Sequence, residues 1–268
     1  MESVHESQHT AKNSAIAAIL AVAILSYGFG FALRADENAP IAISSAAGPG
    51  YTEPLPAKGP AEAPVVLIEV ADLRCGYCMK RNTLVKRLMA EHKDAVRIVF
   101  KHFPFVSPEY SEKSAIAAMA AHRQHQFWEY VDVLYSHGTE LWSETKLIEY
   151  AAALGLDTEQ FSKDLNDPAL ESYVLHDRAA AQALDIRATP TLLINGAVVP
   201  NWANAADIRQ MIRASAREVL DLVESGQATN IITGRAMIAA RNHPAGEEFA
   251  KRYMYNDVSD LQAFTSSN

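Results

Sequence analysis

The two cysteines of this 268-residue chain, Cys75 and Cys78, lie within one four-residue window. Two thiols cannot build a disulfide-rich scaffold, and they supply only half of the thiolates of a four-cysteine zinc site. The run before them, VVLIEV at 65–70, is β-branched and nearly all apolar, which predicts a strand buried on both faces. The run after them, at 79–92, carries apolar residues at helical spacing with Lys and Arg opposite. The pair therefore lies at a predicted strand-to-helix junction.

The remaining pattern predicts an α/β fold that contains a helical insertion. A second strand at 96–103 follows the first helix, and strand, helix and strand in this order predict a parallel pair. Apolar stripes at helical spacing continue through 107–184. A hairpin with an Asn195–Gly196 turn and a closing helix at 205–223 complete the pattern. The predicted segments are a signal anchor or signal peptide at 1–33, a flexible tether at 34–63, a first α/β part at 64–106, the helical insertion at 107–184, a second α/β part at 185–225 and a C-terminal extension of unassigned role at 226–268.

The N-terminus carries an uncharged apolar segment, SAIAAILAVAILSYGFGFAL at 14–33. It is about as long as the ~20 residues that a bilayer-spanning helix needs. This length favours an uncleaved signal anchor over a cleavable signal peptide, whose apolar core is usually about 7–15 residues long. Residues 35–63 are rich in Ala, Pro, Gly and Ser, which is typical of a flexible tether. We therefore expect a domain anchored at the periplasmic or extracytoplasmic face of the inner membrane, or a soluble periplasmic protein after cleavage.

The position of the cysteine pair predicts redox chemistry. Cys75 falls at or just before a helix N-terminus, where unpaired backbone N–H groups and the helix dipole stabilise a thiolate, and Arg74 adds a nearby positive charge. Cys78 follows one turn later, close enough to attack a mixed disulfide at Cys75 and resolve it. This arrangement suits thiol–disulfide exchange and requires no cofactor.

The cysteine pair has two non-redox explanations, and the charge composition bears on one further class of function. Half of a zinc site could recruit His122 and His125, but these residues lie on the polar side of an Ala-rich helix, where solvated histidines are more common. An inert pair of structural thiols is the other alternative. With 24 Lys and Arg against 32 Asp and Glu, the formal net charge is −8, which argues against nucleic-acid binding.

A second candidate element is Thr189–Pro190, directly before the predicted strand TLLIN. Proline at a strand start removes one donor of the hydrogen-bond ladder, so it is usually confined to edges or bulges. A cis peptide bond before proline costs only about 0.5–1 kcal/mol. Thr-Pro before a strand can also simply mark where the strand begins, with no role in a functional site.

Four collinear stretches resemble the DsbA-like thiol–disulfide oxidoreductases, and together they cover about residues 62–216. They are VLIEVADLRCGYC, VFKHFP, HQFWEYVDVLY, and the run from LGLDTEQF through DIRATPTLLINGAVV. The resemblance implies a thioredoxin-like fold with an inserted all-helical domain. It also implies that Cys75 is the exposed nucleophile, that Cys78 is the resolving thiol, and that Pro190 is a cis-proline facing them.

The resemblance assigns three supporting residues. Thr189 would present its backbone to a substrate peptide. Glu69 stands where the family keeps a buried acid, and Lys101 is similar to the basic residue that accompanies it on the next strand. A buried carboxylate there would have a raised pKa and could relay the proton of Cys78, whereas a Glu at the strand end could also point to solvent.

The dipeptide between the cysteines departs from the family pattern. Many members have Pro after the first cysteine, whereas this chain has Gly76–Tyr77. The dipeptide helps to set the stability of the thiolate and therefore the redox potential. The departure therefore argues against strong oxidase behaviour, but it does not affect the expected exchange chemistry.

Together these observations predict a thiol–disulfide oxidoreductase that acts outside the cytoplasm. We expect it to donate the Cys75–Cys78 disulfide to substrate protein thiols, with a membrane redox partner that re-oxidises or reduces it. A disulfide reductase or isomerase is the alternative within the same class of enzyme. A membrane-anchored binding module or holdase, using the groove beside Pro190 without redox turnover, is the alternative of a different class.

Overall fold

The computed structural model describes residues 55–140, 142–201 and 203–243. The strands within these residues are β1 (Ala57–Lys58), β2 (Val65–Ala71), β3 (Val96–His102), β4 (Thr191–Ile194) and β5 (Ala197–Val198). The helices are α1 (Gly76–Glu91), α2 (Pro108–Arg123), α3 (Phe127–Ser136), α4 (Glu144–Ala153), α5 (Thr158–Asp164), α6 (Pro168–Ala183), α7 (Ala205–Glu224) and α8 (Ile231–Asn242).

The strands form one mixed sheet in the order β1-β3-β2-β4-β5. Strands β2 and β3 are parallel, with Val65 opposite Val96 and Ala71 opposite His102, and helix α1 connects them. Strand β4 is antiparallel to β2, and the hairpin to β5 turns at Asn195–Gly196 as expected. The α/β fold with a helical insertion is therefore confirmed.

Residues of β2 alternate between two cores on opposite faces of the sheet, as the pleat requires. Val65 and Leu67 pack with apolar side chains of α1 and α7, including Val85, Leu88, Ile208 and Ile212. Val66, Ile68 and Val70 belong to the second core, built with the insertion helices and containing Met119, Tyr130, Phe161 and Tyr173. All seven residues of β2 are buried, because helices cover both faces.

The segment expected to be a tether joins the fold earlier than the composition suggested. Ala57–Lys58 forms strand β1, antiparallel to β3, and the side chains of Leu55 and Ala63 are buried. The prediction of a flexible tether is therefore wrong for residues 55–63, where backbone pairing with β3 offsets the Pro- and Gly-rich composition. The rest of the tether, 34–54, lies outside the described residues.

Helix α8 closes the fold after α7, although its sequence shows no clean period. Arg235 is fully buried and donates from Nη1 to the carbonyls of Ala61 and Ala63 at 2.6 and 3.0 Å. Gly196, at φ 82°, lets the hairpin turn approach α8, since an added Cβ would lie 3.0 Å from the Cα of Ala239. Residues 231–242 are thus part of the packed domain.

In the described part of the chain, no helix combines the length and the apolar character needed to cross a membrane. The apolar segment predicted to be a membrane anchor or signal, residues 14–33, lies outside the described residues.

Candidate active site

The cysteine pair lies where β2 ends and α1 begins. Cys75 is the N-cap of α1, and its N–H donates to the carbonyl of Asp72 at 3.0 Å. Its carbonyl accepts the N–H of Met79 at 3.1 Å, the first hydrogen bond of the helix. Both cysteines are unbridged, and Cys75 is only 6% exposed while Cys78 is fully buried. Cys75 is therefore more covered than an exposed nucleophile was expected to be.

The loop before β4 covers Cys75. The Thr189–Pro190 peptide bond is cis, as the resemblance implied, and the Thr189 carbonyl lies 3.6 Å from Cys75 Sγ, which donates to it. This backbone faces the cysteine pair at the N-terminal end of α1. The resemblance assigned the same backbone to substrate binding, and in the structure its carbonyl contacts Cys75 Sγ.

Burial controls the acidity of the Cys78 thiol. It raises the pKa of Cys78 far above its ordinary value, and a hydrogen bond to the backbone of Asp72 only partly opposes this rise. Cys78 in the reduced protein is thus a protonated thiol that needs a proton acceptor before it can act as a nucleophile.

Glu69 is a buried carboxyl group on β2, six residues before Cys75. Burial raises its pKa to about 7, with the positive charge of Arg81 acting in the opposite direction. Its Oε1 atom has no hydrogen-bond partner in the described part of the chain. The alternative of a solvent-facing Glu at the strand end is wrong, since Glu69 is 1% exposed.

Lys101 does not accompany Glu69. It lies opposite Val70 in the β2–β3 register, so its side chain leaves the sheet on the other face from that of Glu69. There its Nζ forms a buried ion pair with Asp177 Oδ1 of α6 at 2.8 Å. The expectation that Lys101 partners Glu69 is therefore wrong.

Asp72 is a site residue that the sequence reasoning missed. Its Oδ2 accepts hydrogen bonds from the backbone N–H groups of Phe105 and Val106 at 2.8 and 2.7 Å, and from Ser111 Oγ at 2.9 Å. Its Oδ1 accepts the N–H of Arg74 at 2.8 Å. This buried carboxylate ties the cysteine-bearing turn to the loop after β3. The one available signal was an acidic residue between a buried strand and the cysteines.

Tyr135 of α3 was also missed. Burial raises its pKa well above the ordinary value, and the nearby Glu69 and Cys78 add to the rise. Its buried hydroxyl has no hydrogen-bond partner among the described residues. A side chain from the insertion thus reaches the same buried cluster as the acid and the second thiol.

Arg74 points its charge toward the insertion. Its Nη2 donates to the carbonyl of Thr139 at 2.8 Å, and its guanidinium lies over the rings of Tyr110 and Trp142 at 5.4 and 5.6 Å. Sequence adjacency to Cys75 indicated a positive charge beside the thiol, and the contacts of this side chain are instead those of a packed residue.

A groove of about 380 Å³ runs beside the cis-proline. One wall is formed by α1 side chains and the other by the loop before β4. Its described lining residues include Tyr77, Lys80, Arg81, Leu84, Pro190 and Asn201. Tyr77 is 74% exposed, and Gly76 beside it has open space where a Cβ would stand. The groove is also lined by Thr189, whose carbonyl lies 3.6 Å from Cys75 Sγ.

The two histidines of the zinc alternative lie at the C-terminal end of α2 and just after it. The ring of His122 packs edge-on against Phe127 at 5.9 Å, and His125 follows the end of α2 with φ 61°. Within residues 55–140, 142–201 and 203–243, no three His, Cys, Asp or Glu side chains form a group able to hold a metal ion.

A CxxC pair at a strand-to-helix junction, a cis-proline facing it and helices inserted between the two define a thioredoxin-fold thiol–disulfide oxidoreductase. The family model described as Thioredoxin matches residues 52–214, more than half of the chain. The chain belongs to the thioredoxin family, and its inserted helices place it with the DsbA-like members.

Solved structures show the same fold. A thioredoxin-like oxidoreductase from Silicibacter pomeroyi is 27% identical with a TM-score of 0.55, covering 61% of this chain and 92% of that one. BdbD from Bacillus subtilis is 22% identical with a TM-score of 0.56, covering 62% and 97%. The thiol-disulfide exchange protein α-DsbA2 from Wolbachia pipientis is 20% identical with a TM-score of 0.55, covering 60% and 86%.

The similarity to curated relatives covers only part of the length of each relative. The Na(+)/H(+) antiporter NhaA 3 of Salinispora tropica is 36% identical over 140 residues, which is 52% of this chain and 21% of that protein. The Na(+)/H(+) antiporter NhaA of Herminiimonas arsenicoxydans is 34% identical over 160 residues, 60% of this chain and 25% of that protein. The chain thus spans a quarter or less of these relatives, and their named activity is not carried over to it.

Proposed function

We propose that this oxidoreductase acts outside the cytoplasm as a disulfide donor, passing the Cys75–Cys78 disulfide to the thiols of substrate proteins. The observation that carries the proposal is the geometry at the start of α1. Cys75 caps the helix 3.6 Å from the cis-peptide carbonyl of Thr189, while Cys78 is fully buried one turn later. One sulfur can therefore meet a substrate, and the other can only meet Cys75.

The exchange proceeds in two displacements. A substrate thiolate attacks Cys75 Sγ, the Cys75–Cys78 bond breaks, and Cys78 leaves as a thiolate that takes up a proton. A second substrate thiolate then attacks the substrate sulfur of the mixed disulfide, and Cys75 leaves as a thiolate at the helix N-terminus. The substrate loses two electrons and the protein gains them. A membrane redox partner that accepts two electrons would restore the disulfide.

Glu69 is suited to supply and remove the proton of Cys78. A carboxyl group with a pKa of about 7 is protonated in a large fraction of molecules near neutral pH and can exchange its proton readily. Cys78 needs such a group because its own burial holds it in the protonated form. Glu69 therefore acts on Cys78, by giving it a proton or taking one from it, and not on the substrate.

The location is part of the same proposal. Disulfides persist in oxidising compartments, and the apolar segment at 14–33 has the length of a membrane anchor. Similarity to part of two proteins named Na(+)/H(+) antiporters is consistent with a domain used beside a membrane. Fractionation of cells that express the full chain tests this. An anchored protein stays with the membranes after an alkaline wash, and a cleaved one appears in the periplasmic fraction.

Cysteine substitutions test the chemistry. We expect Cys75→Ser to abolish oxidation of a dithiol peptide. We expect Cys78→Ser, mixed with a disulfide-containing peptide, to accumulate the mixed disulfide at Cys75, because Cys75 displaces one peptide sulfur as a thiolate and no second thiol resolves the product. An active Cys75→Ser protein would contradict the mechanism. If the double substitution of both cysteines by Ala retained full function in cells, the non-redox binding module would be the correct reading.

The redox potential measured against glutathione tests the direction of electron flow. A potential of about −120 mV supports the donor role, and a potential of about −270 mV supports a reductase.

A further inference from the structure

The groove beside Pro190 is bordered by two cationic side chains. Lys80 and Arg81 of α1 line it, and none of its described lining residues is a carboxylate. This local positive charge stands against the formal net charge of −8 of the whole chain. A concave surface with one sign of charge raises the local concentration of ligands of the opposite sign.

These two cations carry no ion pair within the described residues, whereas other cations of α1 and α7 do. Lys86 pairs with Asp132 at 2.6 Å, and Arg209 pairs with Glu91 at 2.5 Å. Lys80 Nζ instead lies 5.7 Å from the ring of Tyr77. Arg81 is half-buried, so solvent screens its charge less than that of a fully exposed residue.

The position of the cations along α1 sets the reach of the groove. Lys80 and Arg81 follow Cys75 by five and six residues. At a rise of about 1.5 Å per residue, this places their backbone about 8–9 Å along the helix axis from the reactive cysteine. An extended peptide advances about 3.3 Å per residue, so this distance corresponds to about two or three residues of substrate.

We propose that the groove selects substrates that carry Asp or Glu two or three residues from the cysteine that reacts with Cys75. The inference rests on the proposed exchange function and names its substrate class. The substrate carboxylate pairs with Lys80 and Arg81, and the planar guanidinium can bind it through two parallel hydrogen bonds. Tyr77, Leu84 and Pro190 supply apolar contacts for the rest of the peptide.

The test uses the oxidised full-length protein and monothiol peptides with Asp, Ala or Lys placed two or three residues before or after the cysteine. The rate of mixed-disulfide formation for each peptide is divided by its rate with a small uncharged disulfide. This ratio removes the effect of the neighbouring charge on the peptide's own thiol. We expect the best Asp peptide to react about tenfold faster than its Ala counterpart, the Lys peptide to react more slowly, and the gap to shrink at high salt.

Charge reversal at an exposed residue provides the matched variant. Lys80→Glu leaves the groove with one anion beside the remaining cation Arg81, so it should abolish the preference for the Asp peptide over the Lys peptide. Arg87 is exposed on the same helix outside the groove, and Arg87→Glu should leave the preference of the wild-type protein unchanged. Lys80 is preferred for this test because Arg81 also acts on the pKa of Glu69.

The outcomes separate the two proposals. If no peptide forms a Cys75-dependent mixed disulfide, the exchange function itself is wrong. If all peptides react at equal normalised rates, or if Arg87→Glu changes the preference as much as Lys80→Glu, the exchange function stands and the acidic preference is overturned.

Discussion

Two buried carboxyl groups on opposite faces of the sheet have different environments. Asp177 contacts the ammonium of Lys101 at 2.8 Å and accepts the N–H of His102 at 3.1 Å. Glu69, on the face covered by α1, has a buried Oε1 without any hydrogen-bond partner in the described part of the chain. Burial raises the pKa of both groups, and only for Asp177 do a cation and a backbone donor in direct contact oppose the rise.

The comparison distinguishes Asp177, whose charge stabilises the fold through an ion pair, from Glu69, whose carboxyl group is suited to proton exchange. A buried charge is tolerated when it is paired and hydrogen-bonded, and the Lys101–Asp177 pair joins β3 of the α/β part to α6 of the insertion in this way. Burial raises the pKa of the Glu69 carboxyl group to about 7, and a group with such a pKa can exchange protons near neutral pH. Glu69, the acid that lies before the cysteines in the chain, is thus the one that forms no ion pair in the described part of the chain.

Breaking the paired side should have the largest effect. Lys101→Met leaves Asp177 buried without its cation and is expected to lower the free energy of unfolding by about 3–5 kcal/mol. The double variant Lys101→Met/Asp177→Leu should recover most of this loss, because no buried charge is left unpaired. Urea unfolding of the reduced proteins measures both values. A single variant as stable as the double one would contradict the structural role of the pair.

Removing the unpaired charge should change the pH dependence of stability. The pKa of Glu69 rises from its ordinary 4.5 to about 7 on folding, so its stabilising contribution is present below about pH 4.5 and is lost as pH rises through 7. Glu69→Gln has no such titration. The unfolding free energy of the variant, relative to the wild-type protein, is expected to increase by about 3 kcal/mol between pH 4 and pH 8.

Unfolding curves of both proteins at a series of pH values measure this difference. His102, whose burial lowers its pKa to about 3, contributes equally to both proteins and cancels. Parallel stability profiles would show that Glu69 does not titrate in this range.

A pair of tyrosines gives the smallest expected effect. The Tyr130 hydroxyl donates to the carbonyl of Leu147 at 2.9 Å, whereas the buried Tyr135 hydroxyl has no partner among the described residues. Tyr130→Phe should therefore lower the free energy of unfolding by about 1 kcal/mol, and Tyr135→Phe should leave it unchanged or raise it slightly. Thermal unfolding of the two variants compares them directly. Equal losses would mean that the Tyr135 hydroxyl forms a hydrogen bond after all.

Local patterns in the chain were sufficient for much of the fold and for the centre of the site. The apolar run of β2, the helical spacing after Cys78 and the turn at Asn195–Gly196 depend on neighbouring residues, so periodicity and turn chemistry predicted them. Helix α8 was missed because its burial depends on contacts with distant residues such as Ala61 and Ala63. No period in the sequence encodes those contacts.

The sequence by itself determined that Cys75 and Cys78 lie at a strand-to-helix junction, that Thr189–Pro190 precedes a strand, and that helices are inserted between them. The tertiary structure alone decided which charges meet. The strand register turned Lys101 away from Glu69 and toward Asp177, 76 residues further along the chain. The physical reason is that a helix or strand forms from the spacing of nearby residues, whereas an ion pair or an unpaired acid depends on which faces pack together.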